Sequence, residues 1–285
     1  MLMNQIHEKH WAEFMGDTQK RSLYDSWWTP GTVNYWRHTR LLAPVLLLAG
    51  FTDYSWLTIG DGAGTDAWRL LQAGFKNVLA TDLDDTVLRQ TKEAGLITDY
   101  RVENAERLSF PDNSFDFILC KEALHHMSRP YAAIYDFFRV ARYGVVIIEP
   151  QDQWIDWPCR TDATTPHYEA VGNFVYSLSA RELEKIAYGL NITGIATRSL
   201  VDIYIENCEF AHCIEGDPIW ESTRTRVEEA TRAMTAGTIK PNYVQGILFK
   251  NSVTPEAFAM LAQQNPEWRF VPTNTNPYLQ GKPAW

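Results

Sequence analysis

Gly60, Gly62 and Gly64 alternate in the run Trp56-Leu57-Thr58-Ile59-Gly60-Asp61-Gly62-Ala63-Gly64-Thr65, and a second apolar stretch, Val78-Leu79-Ala80-Thr81, ends in Asp82. A buried strand, a tight glycine turn and a carboxylate on the tip of the next strand are how an α/β sheet holds a ribose-bearing cofactor. Glycine lets the backbone come close, since a Cβ there would occupy the ligand's space, and the carboxylate accepts hydrogen bonds from ribose hydroxyls. Further along, His125 and His126 follow the apolar run Phe115–Cys120. Imidazoles are the side chains best suited to moving a proton near neutral pH. His167 and Tyr168 form a second such group, and His38 a weaker one.

The glycine spacing narrows the cofactor. Thr65 stands where a third glycine would complete GxGxxG, the pattern that packs a helix beside a pyrophosphate. A cofactor without pyrophosphate does not need that glycine, and S-adenosylmethionine is one.

These residues need a scaffold to carry them. The pattern predicts strands at Trp56–Ile59, Asn77–Thr81, Ile97–Val102, Phe115–Cys120 and Val145–Ile148. Helices alternate with them over Asp66–Ala73, from Asp84 to Glu93, and over Tyr131–Arg142. Strands and helices in that rhythm imply right-handed crossovers and a parallel sheet covered on both faces. Before this block, helices are expected over Gln5–Phe14 and Val33–Leu42; after it, Gln151–Gly172 reads as a loop or lid. Ser179 caps a helix through Tyr188, Ile195–Ile205 reads as a strand, Asp217-Pro218 opens a helix to Ala236, Gln245–Lys250 is a last strand, and Thr254-Pro255 starts a final helix.

Composition excludes several classes. The chain has 285 residues, a formal charge of −9 and 13% aromatic residues including 11 Trp. Its acidity argues against a nucleic-acid groove and against an anionic membrane surface. Four cysteines are too few for a disulfide scaffold, and Cys208-Glu209-Phe210-Ala211-His212-Cys213 lacks the second ligand pair of a zinc site, so no metal is expected. The start of the sequence carries no secretory pattern and Leu41–Phe51 is too short to span a bilayer, so a cytoplasmic location is expected.

Three blocks, LTIGDGAG, LATDLDD, and ENAERLSFPDNSFDFILCKEALHHMSRP followed by YGVVIIEP, closely resemble the class I S-adenosylmethionine-dependent methyltransferases. The likeness is to the small-molecule group that includes the ubiquinone- and menaquinone-pathway enzymes, and it spans about residues 55–150. The resemblance implies that Gly60, Gly62 and Gly64 pass under the methionine and ribose, with Asp61 orienting the amino end. It places Asp82 on the ribose hydroxyls, Leu83 on the adenine face, and Asn104 and the Ala105 amide on the adenine edge, with Glu106 in the same loop. Cys120 and Lys121 contact the methionine end by backbone, His125 lies beside the cofactor, and Arg40 (with Arg37 as rival) pairs with its carboxylate.

The expected fold is therefore α/β: a Rossmann-like, doubly wound, mostly parallel seven-stranded sheet with an N-terminal helical cover and a C-terminal insertion. Residues 1–50 form the cover, 51–205 the S-adenosylmethionine-binding core, and 206–285 the insertion, last strand and tail of the same domain. The expected activity is methyl transfer to a small-molecule acceptor, with a hydroxyl favoured on the histidines and an amine or carbon left open. His125 and His167 are the catalytic choices; Trp27, Trp28, His126, Trp154, Tyr168 and Tyr176 are expected to wall the acceptor. Each tryptophan has a plain core role as its alternative. Expected partners are the acceptor and a second copy of the chain, without nucleic acid or membrane. The rival classes are a nicotinamide-dependent oxidoreductase and a binding scaffold without activity.

Overall fold

The computed structural model describes residues 25–153, 174–208, 211–250, 253–273 and 276–278. Its helices are α1 (Val33–Leu41), α2 (Ala43–Leu47), α3 (Thr65–Gln72), α4 (Thr86–Glu93), α5 (Pro130–Val140), α6 (Ala180–Gly189), α7 (Pro218–Thr235) and α8 (Pro255–Gln264). The strands are β1 (Ser55–Ile59), β2 (Asn77–Asp82), β3 (Asp99–Val102), β4 (Phe115–Lys121), β5 (Ala141–Pro150), β6 (Gly194–Leu200), β7 (Tyr243–Phe249) and β8 (Arg269–Pro272). The predicted helix at Gln5–Phe14 lies outside the described residues.

Alternation along the central strands builds both faces of the sheet. Leu57, Ile59, Ile118, Cys120, Val145 and Ile147 pack with Ile134, Phe137 and Phe138 of α5 and Leu183 and Ile186 of α6. Their neighbours Trp56, Phe117, Leu119, Val146 and Ile148 point the other way, into a second core with Ala67 and Leu70 of α3, Leu88 of α4 and Leu41 of α1. Successive side chains of a strand face opposite ways, so continuous apolar runs are what a sheet buried on both sides requires.

The strand order is β3-β2-β1-β4-β5-β7-β6-β8. β3 through β5 pair in parallel, while β7 runs antiparallel to both β5 and β6. The sequence reading of seven strands is one short. Arg269–Pro272 adds an eighth, antiparallel to β6 through pairs such as Ile195↔Val271. Four residues after a helix carry too little alternation to announce a strand, and tertiary pairing decides it. β6 also ends at Leu200, short of the expected Ile205.

Local signals set the helix starts. Ser179 and Glu182 form a reciprocal capping box on α6, Asp217 caps α7 with proline at the first position, and Thr254 caps α8. At α4 the capping residue is Asp85, while Asp84 accepts from the Thr86 amide at 2.8 Å.

Candidate active site

Strand order reverses between β1 and β4, so the crevice outside their carboxyl ends is where an open α/β sheet binds ligands. The turn after β1 lies there. Gly60, Gly62 and Gly64 take φ of +63°, +58° and +81°, a region that side-chain-bearing residues rarely enter. Protein packing adds to the requirement. A Cβ on Gly60 would stand 2.5 Å from the Ala123 Cβ, and one on Gly64 would stand 3.2 Å from Ile97. Glycine at these two positions is thus explained by backbone conformation and by neighbouring protein atoms, where the sequence reading invoked ligand space.

Asp82, buried at the end of β2, accepts from the Gly62 amide at 2.8 Å. This bond ties the glycine turn to the neighbouring strand. An ionised carboxylate offers about four lone-pair sites, so it can close the turn and still accept from hydroxyl donors. The turn and carboxylate together fit the ribose side of an adenosyl cofactor.

Asp61 has a structural task. Its two oxygens accept from the amides of Asp66 and Ala67 and from the Thr58 hydroxyl, at 2.7 to 2.9 Å. It thereby satisfies the first amides of α3, which Gly64 at the cap position cannot do with a side chain. Burial, followed by the Asp66 carboxylate, pushes Asp61 up to about 8 despite these donors. An amino group of a ligand would meet a carboxylate already committed to the fold.

The adenine-side loop is similarly self-satisfied. Asn104 is exposed and its side-chain oxygen accepts from the Glu106 amide at 2.9 Å. Glu106 turns to Arg129, accepting from its backbone amide and its Nε, each at 2.8 Å. Its carboxylate therefore anchors the start of α5 rather than facing the crevice. Leu83 is half-buried just past β2, and Ala105 packs against the first core cluster.

Beyond the switch point lies a polar network that the sequence reading did not assemble. Lys121, buried at the tip of β4, reaches Asp66 at 3.3 Å and Glu122 at 3.1 Å. Glu122 has φ of +51°, accepts from the Tyr243 hydroxyl at 2.5 Å, and faces His38 Nδ1 at 3.9 Å. Burial pulls the Lys121 ammonium down, but Asp66 and Glu122 more than restore it. Burial works against the charged Glu122, yet Lys121 and then His38 hold it well below the carboxylate range. Burial and then Lys121 hold His38 well below an ordinary imidazole, so its neutral form is favoured. Left-handed φ at Glu122 was the structural hallmark here, and no residue pattern announces it.

The cover helix brings its arginines elsewhere than expected. Arg37 grips Asp202 with contacts of 2.5 and 3.4 Å, while Arg40 donates to the Val201 carbonyl at 3.0 Å and lies 3.5 Å from Asp202. Both pin α1 to the segment after β6. Arg69 of α3 holds the same cover through the Trp27 carbonyl and the Thr39 hydroxyl, each at 2.9 Å.

His125 lies in a 3-10 turn, Leu124–His126, with Nδ1 2.7 Å from the Glu149 carboxylate. Glu149 is fully buried, and its other oxygen accepts from the amides of Ala123 and Leu124. His126 packs its ring 4.0 Å from that of His125. Cys120 is buried, and burial followed by Glu149 pushes its thiol well up. Glu149 was legible only as the end of an apolar strand; its register with β4, where Lys121 pairs Ile148, is what delivers it to the histidine.

Of the expected acceptor walls, Trp27 sits 4.8 Å from the His38 ring, whereas Trp28 packs on Trp68 at 5.2 Å and serves the second core. Tyr176 is exposed, with its amide donating to the His125 carbonyl at 3.2 Å. His167, Trp154 and Tyr168 lie outside the described residues. Among the described residues there is no group of three or more His, Cys, Asp or Glu poised for a metal, and no helix long and apolar enough to cross a membrane.

A doubly wound α/β sheet with a glycine turn and a strand-tip carboxylate at its switch point defines a nucleotide-cofactor-binding class of protein. Residues 57–148 match the family described as methyltransferase domain, and this part of the chain is similar to S-adenosylmethionine-dependent methyltransferases. Among curated relatives, malonyl-[acyl-carrier protein] O-methyltransferase of Yersinia pestis is 32% identical over 99 residues, 34% of this chain and 36% of that protein. Ubiquinone/menaquinone biosynthesis C-methyltransferase UbiE of Burkholderia mallei is 29% identical over 104 residues, 34% of this chain and 43% of that protein. The matched segments thus span well under half of those relatives. A solved phosphoethanolamine N-methyltransferase 2 from Haemonchus contortus shares the fold with TM-score 0.55 and 16% identity, covering 84% of this chain and 60% of that one. A methyltransferase from Archaeoglobus fulgidus does so with TM-score 0.51 and 14% identity, over 75% of this chain and 94% of that one.

Proposed function

We propose that the protein transfers a methyl group from S-adenosylmethionine to a hydroxyl of a small molecule such as a secondary metabolite or saccharide. The observation that carries the reading is the glycine turn closed by Asp82 at the switch point of a methyltransferase domain. When bound, S-adenosylmethionine supplies an activated methyl group together with its own leaving thioether. The chain's residues then have three tasks. Asp82 and the amides of the glycine turn hold the adenosyl part; α1 and Trp27 cover the crevice against water; His125 takes the proton from the acceptor hydroxyl. Orientation supplies much of the rate, and the base matters because a neutral hydroxyl is a poor nucleophile.

The −9 charge supports a small acceptor over nucleic acid, and a cytoplasmic homodimer is part of the same proposal. So is the division into a cover to residue 50, a core to residue 205, and a C-terminal part. Calorimetry with S-adenosylmethionine, S-adenosylhomocysteine and NAD tests the class: binding of the first two supports it, and binding of NAD alone defeats it. Asp82→Ala should weaken cofactor binding by about 1–3 kcal/mol, the scale of hydrogen bonds to a charged group, and unchanged affinity would remove Asp82 from the site. A screen of hydroxyl, amine and carbon acceptors with labelled methyl donor decides the acceptor atom.

A further inference from the structure

We infer that Glu149 is the positioning residue for His125, and that the two act as a base and its orienting carboxylate toward the acceptor hydroxyl. This rests on the methyl-transfer reading above and deepens it. Glu149 stands on β5 just beyond the rung that pairs Lys121 with Ile148, so the sheet itself carries its carboxylate to the strand tips. One oxygen accepts from the Ala123 and Leu124 amides at 2.9 and 2.8 Å, and the other lies 2.7 Å from His125 Nδ1. In the proposed pair this second oxygen accepts from the ring as the first accepts from the amides. The pair so arranged places the ring proton on Nδ1 and makes Nε2 the basic nitrogen.

Holding the turn would require only the oxygen that serves the two amides. The second oxygen fixes the tautomer and ring plane of His125, and it faces the positive charge that arises when Nε2 takes a proton. In the transfer, the acceptor's O–H bond gives its proton to Nε2 and its electron pair to oxygen. That oxygen bonds the methyl carbon, and the carbon–sulfur pair leaves with the thioether. Glu149 holds the ring throughout and stands outside the proton's path, as an orienting carboxylate does. Among the described residues, Glu149 from β5 lies against the imidazole at Nδ1 and His126 of the same turn packs against the ring.

Diethyl pyrocarbonate, which acylates neutral imidazole nitrogen, tests this on the full chain with peptide mass mapping across pH. His125 should react in the folded wild type, with a rate that falls as the ring takes a proton. Glu149→Gln should move that midpoint down by about one pH unit, the scale of losing an adjacent opposite charge, while Glu149→Asp restores part of it. A role confined to bracing the turn would leave His125 unreactive, and that result overturns the proposal, as does a midpoint that Glu149→Gln does not move. Should Glu149→Gln fail to fold, ¹⁵N shifts of wild-type His125 decide: a proton on Nε2 with bare Nδ1 overturns it. Calorimetry with S-adenosylmethionine on the same wild-type sample separates the two readings. Failure to bind defeats methyl transfer, whereas binding with an inert His125 defeats the pair alone.

Discussion

His125 meets Glu149 at 2.7 Å inside the parallel core, whereas His38 faces Glu122 at 3.9 Å across the seam between the cover helix and the sheet. Both glutamates sit at the tips of adjacent strands, and both histidines present Nδ1 to them. The settings differ in what else touches the carboxylate. Glu149 is fully buried and its acid is divided between two backbone amides and one imidazole. Glu122 keeps 27% of its side chain exposed and is shared by a lysine, a tyrosine and a histidine from three elements. The first pair is built by strand register and holds a ring in one pose. The second joins the cover helix to the sheet, and burial followed by Lys121 favours the neutral imidazole there. A base needs the first kind of environment; a docked cover needs the second.

The largest expected effect separates the two pairs by stability. Glu149→Leu strands the Ala123 and Leu124 amides and the Nδ1 donor without water, so a loss of about 3–5 kcal/mol in urea unfolding is expected. Glu122→Gln should cost far less, about 1 kcal/mol, because the amide oxygen still accepts from Tyr243, Lys121 keeps Asp66, and water reaches the site. Equal losses in the two variants would break the distinction between core register and seam.

The sequence already shows the first setting better than the second. Alternating glycines, the Asp82 tip and the apolar runs are local patterns, and they point to β1 and β2 for the proposed cofactor half of the crevice without any tertiary knowledge. Ser179, Asp217 and Thr254 likewise announce their helices through side-chain chemistry acting over three residues. What stays hidden depends on contacts distant along the chain. Glu149 meets His125 only because β5 pairs β4 in a particular register; Arg37 and Arg40 turn to Asp202 more than 160 positions away. Asp61 shows a second role that the motif hides: a polar residue in a ligand motif invites a ligand role, while its oxygens also cap α3.

The smallest effect is a pH dependence confined to the seam. His38 has its pKa lowered on folding, chiefly by burial and then by Lys121. A base whose folded pKa lies below its unfolded value contributes stability that is full above about 6.5 and is lost as pH falls toward the folded value. Glu122, also lowered in the folded state, contributes in the same direction but within the lower, carboxylate range. Wild-type stability should therefore carry a downward contribution from His38 as pH falls below about 6.5, opposed by Asp61, whose carboxyl, raised to about 8, adds stability over the same fall. His38→Gln removes the titrating ring, so its stability relative to wild type should rise as pH falls below about 6.5, while the carboxylate part stays in place. Urea midpoints measured from pH 7.5 to 4 read both segments. An unchanged upper slope in His38→Gln would mean that the seam does not hold its imidazole neutral, and the contrast with His125 would then lie in distance alone.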